Sequence, residues 1–259
     1  MKISIITVCF NAEKTIASTI SSVNRQANVD VEHIFIDGQS TDNTCAIIKK
    51  FKRYSGPLVC EKDNGVYDAM NKGLKLASGE FIGFLNADDE YFDDNILTEV
   101  DNCFSDALVD ACYADLIYVD RDNTSKLVRY WRSRDYSDGL FEKGWMPAHP
   151  TFFVRRSVYE KLGRFDLDFR RQADFELSMR FLAVNKIKSV YIPRIFVKMR
   201  MGGLSNNNLM GIIKGNFEAY KACKKNKLKV NALFIFRKIL SRLPQYFSRP
   251  VKSEWERIN

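Results

Sequence analysis

The chain predicts an α/β fold, with a central, mostly parallel sheet flanked by helices. Two observations carry this. Short apolar runs rich in Ile, Val and Phe alternate with stretches of helical periodicity, and polar residues gather where the apolar runs end. Such alternation implies βαβ units with right-handed crossovers, whose ligands bind beyond the carboxyl ends of the strands.

Residues 3–8 read as the first strand, 13–25 as the first helix and 31–37 as a second strand ending in an Asp. A second helix over 41–53 and a short strand over 58–60 follow. In 66–77, Tyr67, Met70, Leu74 and Ala77 recur at helical spacing, and 80–85 is a fourth strand before a helix at 93–104. Beyond residue 104 the pattern loosens. Residues 110–120 and 124–131 read as a meander, 151–154 as a strand, 157–162 as a short helix and 172–184 as a longer one. Residues 190–192 and 195–201 are short strands. Gly202-Gly203 and Asn206-Asn207-Asn208 mark the best boundary, giving a body of residues 1–205 and a helical, basic appendage of 206–259.

The net charge of +8 sits in that appendage, where residues 205–259 hold 12 Lys and Arg against 3 Asp and Glu, while the body is nearly neutral. Residues 228–243 mix bulky apolar side chains with Lys and Arg, as interfacial helices do. The appendage is therefore expected to meet a membrane surface, or else to pack on the body with a solvated basic face. No run approaches the roughly 20 apolar residues of a membrane span. Six scattered Cys without a CxxC pair argue against a zinc site or a disulfide framework and fit a reducing compartment. The opening residues are too short for a signal peptide, so the expected location is cytoplasmic, peripheral on the inner face of the cell membrane.

Several α/β chemistries are excluded. There is no GxGxxG, no GxxxxGK[ST] and no GxSxG, and two His cannot supply a zincin site. Acids and amides instead cluster at three strand ends: Asn11, then Asp37-Gly38-Gln39-Ser40-Thr41-Asp42, then Asn86-Ala87-Asp88-Asp89. Paired carboxylates beside an Asn are hard oxygen ligands suited to Mg²⁺ or Mn²⁺, although an Asp there also caps a following helix. Asp42 and Asn43 read first as caps. Asp68, Asn71 and Lys72 share a helix face that is either solvated or turned to a ligand.

Together these segments, with Asp63-Asn64-Gly65-Val66-Tyr67-Asp68-Ala69-Met70-Asn71-Lys72-Gly73, His149-Pro150-Thr151-Phe152-Phe153, Ala173-Asp174-Phe175-Glu176-Leu177 and Gly202-Gly203-Leu204-Ser205, resemble the inverting glycosyltransferases of family 2, which have the GT-A fold. The resemblance covers roughly residues 1–205 and is nearest to enzymes of bacterial O-antigen, colanic acid and capsule synthesis. It implies a nucleotide-sugar donor, expected to be UDP-linked, held by Thr7, Phe10, Asn11, Asp37, Asp68, Lys72, Asn86 and Ala87. It implies Mn²⁺ or Mg²⁺ on Asp88, with Asp89 as helper and Asn86 at the family's first acidic position. Gln39 departs from the Gly common in this subset.

The resemblance further implies that Asp174 is the base that deprotonates the acceptor hydroxyl, with Glu176 as the second choice. His149, Glu176 and Arg200 are candidates to contact acceptor or diphosphate. The acceptor expected is a glycan hydroxyl, on a lipid-diphosphate-linked saccharide, with no nucleic acid partner. A sugar-phosphate nucleotidyltransferase is the rival enzyme, but residues 9–13 lack its triphosphate loop; a non-catalytic membrane or nucleic-acid binder is the other rival.

Overall fold

The computed structural model describes residues 1–202, 209–231 and 233–250. The first half follows the expected alternation: β1 (Lys2–Cys9), α1 (Ile16–Asn24), β2 (Asp30–Asp37), α2 (Thr44–Phe51), β3 (Leu58–Cys60), α3 (Val66–Leu76), β4 (Phe81–Phe84), β5 (Asp89–Tyr91) and α4 (Ile96–Cys103). Then come β6 (Ala111–Val119), β7 (Leu127–Trp131), β8 (Phe153–Arg155), α5 (Arg156–Leu162), α6 (Ala173–Met179), β9 (Ser189–Arg200), α7 (Leu209–Lys225), α8 (Leu233–Leu240) and α9 (Pro244–Phe247).

One nine-stranded sheet runs β3-β2-β1-β4-β8-β6-β9-β5, with β7 paired to β6. Strands β3, β2, β1 and β4 are parallel, and β8, β7 and β5 bring antiparallel pairings. Strands β1 and β4 are buried on both faces, which is why each reads as a continuous apolar run rather than an alternation. Helix α3 lies on β1 so closely that a methyl group on Gly73 would meet Ile6 Cγ2 at 2.4 Å.

Three local departures have physical causes. The two short strands expected around Pro193 are one strand, β9, whose register against β6 shifts at Ala114, Asp115 and Leu116. Pro cannot donate to a ladder, so the strand bulges there instead of ending. The helix expected over 172–184 is α6 followed by a π-helical turn, Arg180–Val184. Strand β5 was not foreseen because three residues beginning with Asp-Glu carry no strand signature.

The described part of the appendage packs on the body. Ala219, Ala222 and Cys223 of α7, Val230, and Phe234 of α8 share a buried cluster with Phe141 and Phe175. The expected boundary at residues 205 and 206 lies outside the described residues. Among those described, no helix is long and apolar enough to cross a membrane.

Candidate functional site

The carboxyl ends of β1, β2 and β4 form one rim. Cys9 and Asp37 are register partners at the ends of β1 and β2, and Gly38 N–H donates to Cys9 O at 2.8 Å. Asp37 is wholly buried, and its carboxylate accepts from Ser40 N at 2.8 Å and Ser40 Oγ at 2.5 Å. Asn11 turns the chain with a positive φ of 48°, and its Oδ1 accepts from Thr41 N at 2.9 Å. Gln39 also adopts a positive φ, 68°, so it keeps the left-handed backbone usually left to Gly. Phe10 stands on this rim largely exposed, within reach of Gly38. Thr7, by contrast, is fully buried, and its hydroxyl is 2.9 Å from His33 Nε2. Its side chain ties β1 to β2 and does not face the rim.

Lys72 is already engaged: its ammonium meets Asp63 at 2.6 Å and Glu61 at 2.8 Å. The Asp68 carboxylate accepts from Asn64 N at 2.9 Å, and Asn71 both donates to Phe165 O and accepts from Phe165 N. This face of α3 therefore holds loops, and a direct phosphate contact by Lys72 would have to break its ion pairs.

Past β4 the chain makes a tight turn, Asp89 N–H donating to Asn86 O at 3.1 Å. Asn86 Nδ2 donates to Asp89 Oδ2 at 2.9 Å, while Asp89 Oδ1 is buried with no partner. Ala87 is buried beneath the turn. Burial pushes the Asp89 carboxyl well up, and the adjacent Asp88 charge adds to this. Burial raises Asp88 as well, against the pull of the Arg200 and Arg121 guanidiniums. Two adjacent carboxyls, one with an orphaned oxygen, are costly to ionise in such a site, and a divalent cation offsets that cost. The donor set therefore fits Mg²⁺ or Mn²⁺, with Asp88 as the more accessible ligand. Arg200, at the end of β9, donates to Glu90 at 2.6 Å and to Ser18 Oγ at 3.3 Å.

One other group among the described residues could hold an ion: Asp37, Cys45 and Cys60, whose ligand atoms lie within 4.8 Å of one another. Burial pushes the Cys45 thiol up to about 12, so it stays protonated near neutrality, and the Asp37 oxygens are taken by Ser40. That chemistry suits a hydrogen-bonded cluster better than a metal centre.

Asp174 lies in the first turn of α6. Its Oδ1 accepts from Tyr67 Oη at 2.9 Å and from Phe175 N at 2.8 Å. His149 sits on Phe84, the last residue of β4, with ring centroids 5.2 Å apart, and edge-on to Phe165 at 5.5 Å. Its Nε2 is buried without a partner. Burial lowers the affinity of this imidazole for a proton, and the Asp174 charge partly restores it. Glu176 is not drawn in: it is buried against Arg180 at 3.0 Å and accepts from Asn226 at 3.1 Å.

Sequence reasoning missed Tyr67 as a partner of Asp174, and it missed Lys238. The Lys238 ammonium is fully buried, donates to Gln172 Oε1 at 2.5 Å and lies 4.3 Å from the Phe175 ring centroid. The only available signal was its place four residues after Phe234, on the buried face of α8.

Comparison with known proteins gives the family and the fold. Residues 4–163 match the family described as Glycosyl transferase family 2. The chain is 30% identical over 207 residues to a PGL/p-HBAD biosynthesis glycosyltransferase of Mycobacterium bovis (strain BCG / Pasteur 1173P2), an alignment covering 78% of each chain. Its fold superposes with a TM-score of 0.66 on S. aureus TarS 1-349 in complex with UDP-GlcNAc, at 17% identity, covering 95% of this chain and 73% of that one. Against a longer S. aureus TarS chain it spans 45%. A mannosyltransferase from Pyrobaculum calidifontis in complex with GDP-Man and Mn²⁺ gives a TM-score of 0.64 at 18% identity, covering 93% of this chain and 68% of that one.

Proposed function

This chain belongs to glycosyl transferase family 2 and has a GT-A architecture, and from that premise we propose that it moves a hexose from a UDP-sugar, with inversion, to a hydroxyl of a growing surface glycan or glycolipid. The observation that carries the reading is the separation of two kinds of carboxylate. Asp88 and Asp89 follow β4 and are short of partners, whereas Asp174 comes from α6 and is oriented by Tyr67 and Phe175.

An inverting transfer is a direct displacement at the anomeric carbon. The acceptor hydroxyl loses its proton as it attacks, and a carboxylate within hydrogen-bond reach takes it. In this reading the free Oδ2 of Asp174 receives that proton, while Tyr67 and the Phe175 amide fix Oδ1. His149 rests against Phe84 and presents an unpaired Nε2 to the acceptor or the diphosphate. Asp37 and Asn11 shape the nucleoside end, with Phe10 exposed beside them. Asp88, with Asp89 behind it, would hold Mn²⁺ or Mg²⁺, which when bound neutralises charge on the departing diphosphate.

The relative of glycolipid biosynthesis supports a lipid-linked acceptor, and the basic appendage supports a peripheral position on the cytoplasmic face of a membrane. The test is a screen of the purified chain against UDP-, GDP- and dTDP-sugars, with Mn²⁺ and with EDTA, reading nucleoside diphosphate release. Metal-dependent release from a UDP-sugar is expected; release from no nucleotide sugar in either condition would overturn the reading.

A further inference from the structure

Helix α8 buries a cation beside Phe234 and turns several apolar side chains outward. Lys238 has no exposed surface, while Phe236 is 60% exposed, Ile239 45%, Leu243 just beyond the helix 49%, and Phe247 of α9 84%. An amphipathic helix on a body surrounded only by water would present the reverse arrangement. Burying an ammonium costs several kcal/mol unless an anion meets it. Among the described residues no carboxylate lies within ion-pair distance of Lys238 or of Arg242 one turn further on; the Lys238 ammonium has only the neutral Gln172 amide and the Phe175 ring.

Lys238 sits beside the base through its contacts with Gln172 and Phe175, and Arg242 follows it by one turn. Gln172 and Phe175 flank Asp174 in sequence, and the Asp174 charge acts on both Lys238 and Arg242. Arg129 completes the set: its guanidinium packs over Tyr118 at 4.7 Å and Tyr246 of α9 at 5.4 Å, and its Nε donates to Gln245 at 2.7 Å. With only the Gln172 amide and the Phe175 ring against it, the Lys238 ammonium lacks an ion-paired anion. The outward face of α8 and α9 is short of an apolar neighbour. One kind of ligand supplies both deficits.

We propose that α8 and α9 form the acceptor-reading element of the enzyme: Lys238 and Arg242 take the phosphate oxygens of an amphiphilic, lipid-diphosphate-linked saccharide beside Asp174, while Phe236, Ile239, Leu243 and Phe247 rest in the bilayer that holds its lipid. This deepens the glycosyltransferase reading and rests on it. The headgroup is recognised by charge-assisted hydrogen bonds in a dehydrated site, and the apolar face supplies area that a soluble acceptor cannot use.

The test is flotation of the full chain with phosphatidylcholine vesicles carrying a polyprenyl diphosphate, a neutral polyprenol or phosphatidylglycerol. UDP binding is measured in parallel. The wild type is expected to bind the polyprenyl diphosphate vesicles at least about tenfold more tightly than either of the others, a difference of ~1.4 kcal/mol. Lys238→Met, which keeps the buried packing, and Arg242→Gln should each remove most of that preference, and Phe236→Ser with Phe247→Ser should weaken binding to every vesicle. Equal binding of the wild type to the three vesicles would overturn the proposal. So would an undiminished preference in a folded Lys238→Met variant. Free pyrophosphate that displaces the chain from no vesicle supports recognition of the whole amphiphile; displacement at the same concentration as the vesicle-bound headgroup overturns the lipid half. Loss of UDP binding in the wild type would count against the glycosyltransferase reading itself, independently of the vesicle result.

Discussion

Tyr67 of α3 donates its hydroxyl to Oδ1 of Asp174 at 2.9 Å, joining the parallel half of the sheet to the helix that follows its antiparallel half. Tyr67 is half-buried, and desolvation of its phenol together with the Asp174 charge holds its proton firmly in place, so it acts as a fixed donor. Asp174→Asn is expected to lower transfer by about 10²- to 10⁴-fold, the range for loss of a general base. UDP binding should stay within a factor of about two, since the donor site is elsewhere. Tyr67→Phe should lower kcat by about tenfold, consistent with losing one hydrogen bond to a charged group. Full activity in Asp174→Asn would remove it as the base; Glu176, tied to Arg180 and Asn226, is poorly placed to replace it.

Removal of the metal should be visible in binding alone. UDP affinity of the wild type should fall with EDTA, and Asp88→Ala should make UDP binding insensitive to Mn²⁺. Asp89→Asn is expected to be milder, weakening metal affinity by about 10- to 100-fold, as for groups that orient a ligand. Titration calorimetry with Mn²⁺ and UDP distinguishes these cases. An Asp88→Ala variant that still responds to Mn²⁺ would assign the ion elsewhere.

The parallel half was legible because its strands are buried on both faces, so Ile3, Ile5 and Ile6 and then Phe81, Ile82 and Phe84 announce themselves without reference to partners. The three polar strand ends were legible for the same reason. What escaped notice depended on long-range contacts. Tyr67 reads as one more apolar position of α3, and its bond to Asp174 spans 107 residues. Lys72 reads as a free cation until Asp63 and Glu61 are folded against it. Lys238 reads as a solvated charge in a basic tail, because neither composition nor spacing tells which side of α8 meets the body.

Core packing at β4 gives a stability prediction. A methyl group on Gly83 would meet Phe153 Cε1 at 2.3 Å and Cδ1 at 2.6 Å, and the Phe153 ring is itself wholly buried. Gly83→Ala should therefore destabilise the fold by about 1–3 kcal/mol through overpacking. Adding Phe153→Leu, which frees space at the clash, should recover part of the loss, so the double variant is less destabilised than the sum of the two single ones. Urea midpoints of the four proteins measure this, and strict additivity would show that the two sites do not meet.

Acid should unfold the protein earlier than its exposed carboxylates require. Burial, with a smaller push from Lys52, lowers the proton affinity of His33 from 6.5 to about 3. The unfolded chain therefore takes up this proton first as pH falls. The stability due to a neutral His33 is complete above pH 6.5 and is lost progressively toward pH 3. Glu32 acts lower down. Burial alone would raise it, but hydrogen bonds from Ser4, Ser78 and Lys2 bring it from 4.5 to about 2, so its contribution is present above pH 4.5 and lost as pH falls to 2. Between pH 6.5 and 5 His33 should account for a loss of about 2 kcal/mol, while the raised carboxyls of Asp88 and Asp89 act in the opposite direction by holding protons in the folded state. His149 is lowered in the same direction as His33 and adds to the wild-type slope. Unfolding free energies from urea titrations at pH 7 and pH 5 should thus diverge more for the wild type than for His33→Gln. Equal differences would mean that His33 does not titrate out of its native pairing with Thr7 in this range.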